Sequence, residues 1–187
     1  MNNIIENFEI MKPIFLLLCL LLLNFAPTFS QESIPINFPD DYFGIYTGTL
    51  EISNKKGNQT YPMEFHLQPT DSIGKYEYKL VYGEGDARQE RPYNLIAKDT
   101  ASGLYIVDEN NGIILHDKVI GNRMYALFEV GGNLLTTFIT FEKDHMIFEI
   151  AITNTAEKQR SYTNDAEKTE VISYPITAVQ RAVLQKQ

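Results

Sequence analysis

Asp108 and Asp117 are the residues in this chain whose type and surroundings could do chemistry. Both fall in segments that are otherwise almost wholly apolar, and a carboxylate on an apolar face is costly unless it is paired or wet. On adjacent strands of one sheet, diagonal neighbours stand about 7 to 8 Å apart. Two carboxylates placed so would raise one another's pKa, giving the poised acid or base that an isomerase or hydratase needs. The preferred alternative is a structural or ligand-orienting role. Asp108 would then sit beside a hydrated turn, and Asp117 would bond a tyrosine or an arginine from residues 88–91. No catalytic residue is assigned.

Tyr76, Tyr78 and Tyr82 fall on one side of a single alternating segment, and Tyr46 and Tyr93 could join them inside the same fold. Their rings would make an amphipathic lining with hydroxyls for hydrogen bonds. Equally, they could fill a collapsed core and send their hydroxyls to the rim. His66 and His116 alternate onto the polar side of their segments, and His145 sits in a turn, so the three share no ligand spacing and no metal site is expected. Cys19 is the only cysteine and lies in an N-terminal apolar run. Once that run is removed, a disulfide, a Cys-ligated metal and a thiol nucleophile are all excluded. No phosphate loop, dinucleotide fingerprint or Gly-x-Ser-x-Gly turn occurs, and no cofactor is expected.

The elements that must position these groups are short strands. Residues 103–153 read as five apolar runs separated at Asn111-Gly112, Gly121-Asn122, Gly131-Gly132-Asn133 and Lys143-Asp144-His145, the pattern of a β-meander. A two-residue turn at Asn111-Gly112 sets Asn110 opposite Ile113. Leu104 then pairs with Val119, Ile106 with Asp117 and Asp108 with Leu115. The same count at Gly121-Asn122 places Met124 opposite Val119, Ala126 opposite Asp117 and Phe128 opposite Leu115. Parity carries Leu135, Thr137, Ile139 and Phe141, then Met146, Phe148, Ile150 and Ile152, onto that one face. The opposite face mixes charged and apolar residues, including Tyr105, Lys118 and Tyr125, as a solvated sheet surface does. Phe128 and Phe148 thereby join Asp117, Asp108 and the tyrosines as candidate ligand-binding residues.

The remaining segments extend the pattern. Residues 42–53 read as the first strand, 61–68 and 73–82 as alternating strands, and 92–98 as a further strand whose parity the loop at 99–102 leaves open. Residues 154–170 are polar and form either a flap or a hairpin. After them a closing strand is preferred, because Tyr174-Pro175 opposes one continuous helix. The fold class is therefore all-β, an antiparallel up-and-down meander of about nine to ten strands closed into a barrel.

The N-terminal residues read as a targeting segment. Lys12 precedes the apolar run 14–23, and Thr28-Phe29-Ser30 offers a cleavage site before Gln31. Residues 1–30 are expected to be a signal peptide, with Met11 an alternative start, followed by an extended lead-in over 31–41 and a single barrel domain over 42–187. The expected location is secreted or periplasmic. A net charge of -8 and a pI near 4.9 argue against nucleic acid or an anionic membrane surface as partner. Removal of Glu6, Glu9 and Lys12 with the signal leaves 22 acids against 15 bases.

Gly44-Ile45-Tyr46-Thr47-Gly48, opening a meander after a signal peptide, resembles the Gly-x-Trp motif in the first strand of calycins, the lipocalins, avidins, fatty-acid-binding proteins and nitrobindins. The chain contains no Trp, so Tyr46 would hold that position, and Arg181 is the candidate for the late basic residue that packs across it. The resemblance implies a barrel with an interior pocket for a small, mostly apolar molecule. No haem-ligating pattern of the nitrobindin kind is present, so it carries no cofactor.

The expectation is a binding protein that holds a small hydrophobic or amphipathic ligand inside the barrel, without stable membrane insertion after signal cleavage. The alternative is an interaction module with a solid core and a surface patch at Tyr105, Lys118 and Tyr125. An interior cavity of about 300 Å³ or more would select the first, and a filled core the second. A third reading, the enzyme, rests on Asp108 and Asp117 together. A fourth inverts the barrel so that its apolar face meets lipid.

Overall fold

The computed structural model describes residues 37–187. The expected signal peptide, its cleavage site and the first part of the lead-in lie outside the described residues. The strands are β1 (Gly44–Asn54), β2 (Gly57–Pro69), β3 (Lys75–Tyr82), β4 (Gln89–Asp99), β5 (Leu104–Asp108), β6 (Ile114–Ile120), β7 (Arg123–Val130), β8 (Asn133–Phe141), β9 (His145–Asn154), β10 (Gln159–Tyr162), β11 (Glu170–Ser173) and β12 (Ile176–Lys186). Ten of them close an antiparallel barrel in which β1 to β9 pair in chain order and β12 fills the seam between β9 and β1. Closure leaves the barrel no free edge. The polar residues after β9 form the hairpin β10–β11, a separate two-stranded sheet exposed along its whole length.

Alternation builds the wall. In β2, Met63, Phe65 and Leu67 are fully buried inside, while Glu64 and Gln68 keep partial contact with solvent. In β1, Gly48 has a structural reason to be glycine: a Cβ there would meet the Val183 carbonyl oxygen at 2.6 Å, so its bare backbone lets β12 close the seam.

The expected pairing holds from β6 onward. Asp117 pairs with Ala126 and Val119 with Met124, and the inward face runs on through Thr137, Ile139, Phe148 and Ile150. It fails by one residue at β5. Leu104 pairs with Lys118, Tyr105 with Asp117, Val107 with Leu115 and Asp108 with Ile114. Tyr105 and Val107 therefore point inward, each 3% exposed, and Asp108 is turned out of the barrel.

The cause is Asn110. It adopts φ 60° and Gly112 φ 96°, so the connection is a three-residue loop closed by Glu109 N–H donating to the Ile113 carbonyl at 3.0 Å. Neighbouring β4 holds Asn110 in that conformation: its Nδ2 donates to the Pro92 carbonyl at 2.6 Å, and Asn94 Nδ2 donates to its Oδ1 at 2.5 Å. One added loop residue flips every side chain of the preceding strand.

One end of the barrel is plugged by aromatic side chains. Residues 37–43 cross beneath it, with Asp40–Tyr42 forming a single 3-10 turn across the end of the expected extended lead-in and the first residue of the expected strand, which starts at Gly44 instead. Tyr42 packs on Phe141 at 5.2 Å and Phe38 meets Tyr105 edge-on at 5.2 Å between ring centroids. Tyr46 is fully buried above them, and its hydroxyl donates to the Tyr42 carbonyl at 2.6 Å. The cation over the Tyr46 ring is Lys186, with Nζ 5.8 Å from the centroid. Arg181, the residue expected there, lies outside the barrel, where its Nε is 3.6 Å from Glu149 Oε1.

Candidate functional site

Above the aromatic floor the barrel is not filled. A cavity of about 140 Å³ lies toward the end where β3 finishes and β4 begins. β3 presents Tyr78, Leu80 and Tyr82 to it, and β4 presents Tyr93. Val107 and Glu109 line it from the end of β5, and Leu115 and Asp117 from β6. β7, β8 and β9 complete the wall with Ala126, Phe128, Thr137, Phe148 and Ile150.

Six of the nine expected site residues therefore meet at this cavity: Asp117, Tyr78, Tyr82, Tyr93, Phe128 and Phe148. Three do not. Tyr46 is in the floor, held by its bond to Tyr42. Tyr76 lies at the same end, its ring 5.7 Å from that of Phe43. Asp108 faces outward at the rim, where its Oδ1 accepts from Asn110 N at 2.8 Å. Asp108 and Asp117 are thus on opposite sides of the wall, and the carboxylate pair on which the enzyme reading rested does not form.

Of the two acids that line the cavity, Asp117 and Glu109, Asp117 is the buried one. It is 7% exposed, its Oδ2 is buried, and that oxygen accepts no hydrogen bond among the described residues. Burial alone pushes its pKa from 3.8 up to about 7, because the charged form loses its water without gaining a cation. The tyrosine or arginine partner expected for it is not made. Tyr78 stands close enough that the charge of Asp117 adds to burial in holding its phenol well above the ordinary value. Burial, then the neighbouring Tyr93, raises Tyr82, and burial, then Glu109, raises Tyr93. All three phenols are consequently neutral, and Tyr78 and Tyr93 are stacked with ring centroids 6.4 Å apart.

Val107 and Glu109 were missed as site residues. Their signal was the conformation of Asn110, since a three-residue loop turns the odd-numbered positions of β5 inward. Leu80 and Thr137 lay on the expected inward faces of their strands and differ from the chosen residues only in lacking an aromatic ring or a charge.

The histidines lie apart from the cavity. His66 points outward as expected but is buried on that side, its Nε2 2.8 Å from Glu64 Oε2. Glu64 also accepts from Arg88 Nη1 at 2.7 Å. These two partners, Arg88 first, pull the Glu64 carboxyl down to about 2 against a small opposing effect of burial. His145 Nδ1 is 2.7 Å from Asp144 Oδ1 in the β8–β9 turn. Among the described residues no three His, Cys, Asp or Glu side chains converge as metal ligands do.

The outer wall carries its own aromatic feature. Tyr125 and Phe138 meet edge-on at 5.7 Å, with the Arg123 guanidinium 5.3 Å from the first ring and 4.7 Å from the second. A shallow groove beside them is lined by Leu104, His116, Lys118 and Leu127. Tyr105, expected on this surface, is inside the barrel and takes no part in it.

Compared with protein-family models, with curated proteins and with solved structures, the chain shows no match.

Proposed function

We propose that the protein binds a small molecule inside the barrel and does no chemistry on it. The observation that carries this reading is the cavity above a filled floor, with a buried carboxylate oxygen left without a partner on its wall. Native interiors are close-packed, and a buried polar group normally finds a partner, so both features together favour an occupant from outside the chain. The cavity, about 140 Å³, is neither the pocket of about 300 Å³ or more expected for a ligand nor the filled core expected for an interaction module, and an occupant of that volume is ring-sized and not a long acyl chain. The Asp108–Asp117 pair that proton transfer would have used does not form, which favours orientation over chemistry.

The closed antiparallel barrel agrees in general kind with the calycin resemblance, and Tyr46 with Lys186 above it supports placing the chain near that group. Export to a secreted or periplasmic location is proposed with it, on the apolar run 14–23. The outward positions of Lys118, Arg123, Glu149 and Arg181 favour an aqueous surface over a lipid-facing one.

Dye displacement or native mass spectrometry on the purified chain tests the reading. A bound small molecule is expected, and Ala126→Leu, which fills the cavity from β7, should abolish binding while the barrel stays folded. Undiminished binding in that variant would overturn the interior site. It would favour the second reading, an interaction module working through Arg123, Tyr125 and Phe138, where the exposed Leu127 and Leu104 supply apolar contact area.

A further inference from the structure

We propose that the molecule held in this cavity is a small protonated amine carrying a single ring or a short apolar body, its ammonium group on the Asp117 carboxylate. The inference rests on the ligand-binding reading and names the chemical class of that ligand.

Three observations converge on it. Asp117 is more than nine-tenths buried and its Oδ2 has neither a hydrogen bond nor an ion pair among the described residues, so a donor must come from elsewhere. A cation answers that need better than a neutral donor, because it offsets the charge as well as filling the lone pair. The rings of Tyr78, Tyr82 and Tyr93 line the same space, and neutral phenol rings attract an ammonium through their faces. The volume of about 140 Å³ matches roughly one benzene ring with a short substituent.

The charged groups around the site agree. From β3 only Tyr78 and Tyr82 face Asp117, from β4 Tyr93, and from β5 Tyr105 and the following Glu109, while β7, β8 and β9 supply uncharged side chains. Glu109 adds negative charge at the cavity end. Arg91, the nearby cation, is exposed at the rim, where it acts on Tyr82 and Tyr93, and the raised pKa of Asp117 has burial as its sole cause. The net charge of -8 attracts cations to the protein as a whole.

Calorimetric titration of the full chain with benzylamine and with benzyl alcohol separates charge from shape. At pH 8, where Asp117 is ionised, the amine should bind about tenfold or more tightly than the alcohol. The advantage should shrink at pH 5, where Asp117 holds its proton, and vanish in Asp117→Asn. Should that variant fail to fold, the ¹³C-carboxyl resonance of Asp117 serves in its place, since the amine should move its titration midpoint below 7 and the alcohol should not. Equal binding of amine and alcohol would overturn the amine class while leaving an interior ligand site standing. An amine advantage that survives in Asp117→Asn would overturn it likewise. Binding of neither compound by the folded barrel would overturn the ligand-binding reading and this inference with it.

Discussion

Asp117 pairs with Tyr105 across the β5–β6 ladder, and both side chains point into the barrel, one into the cavity and the other onto its floor. The Tyr105 hydroxyl donates to the Phe38 carbonyl at 2.9 Å instead of to the carboxylate. The pair thus marks the boundary between a floor whose polar atoms are satisfied from within and a cavity wall where one is not.

Asp117 should make the barrel less stable as pH rises. Between 3.8 and about 7 the unfolded chain has released the proton that the folded chain still holds, so stability falls across that window and levels off above it. The full effect is about 4 kcal/mol. Asp117→Asn should remove this slope, which urea denaturation at pH 4 and pH 8 would read; a slope unchanged in the variant would refute the assignment to Asp117.

Glu64 should act in the opposite direction. Its carboxyl is pulled down to about 2 by Arg88 and His66, so its contribution is complete above 4.5 and is lost as pH falls toward 2. Glu64→Gln should flatten the acid limb of the stability curve. An NMR titration that puts the Glu64 midpoint near 4.5 would show that the Arg88 pair does not persist in solution.

Asn110→Ala should destabilise the protein by about 1–2 kcal/mol through its left-handed backbone alone, with a further loss from the bonds to Pro92 and Asn94. Asn110→Gly should recover the backbone part. Equal denaturation midpoints for the two variants would mean that φ 60° is not what holds the loop.

Gly48→Ala should open the β1–β12 seam, since the new Cβ meets a backbone oxygen that cannot swing aside. A cost of about 1–3 kcal/mol is expected. Hydrogen exchange should speed first at the amides that pair Thr47 with Gln185 and Thr49 with Val183. Faster exchange at β5–β6 before the seam would count against this account.

Most of the architecture was legible in the chain. Alternation of large apolar residues with polar ones is a local signal, and tight turns at Gly121-Asn122 and Gly131-Gly132 carried the parity correctly through β6, β7, β8 and β9. That sufficed to place Asp117, Phe128 and Phe148 on the inner face. Tyr78, Tyr82 and Tyr93 shared the cavity because β3 and β4 pair so that Tyr78 faces Tyr93, a contact that the open parity of residues 92–98 had left undecided.

Periodicity and composition by themselves determined the all-β class, the sidedness of four meander strands and the presence of one acid among apolar neighbours, because these depend only on residues close in sequence. Tertiary structure decided the rest. The β5 register depended on Asn110 reaching Pro92 and Asn94 on another strand, and that reach separated Asp108 from Asp117. Whether the barrel was solid or hollow depended on how side chains from seven strands share one volume, a sum over distant residues that no local pattern contains.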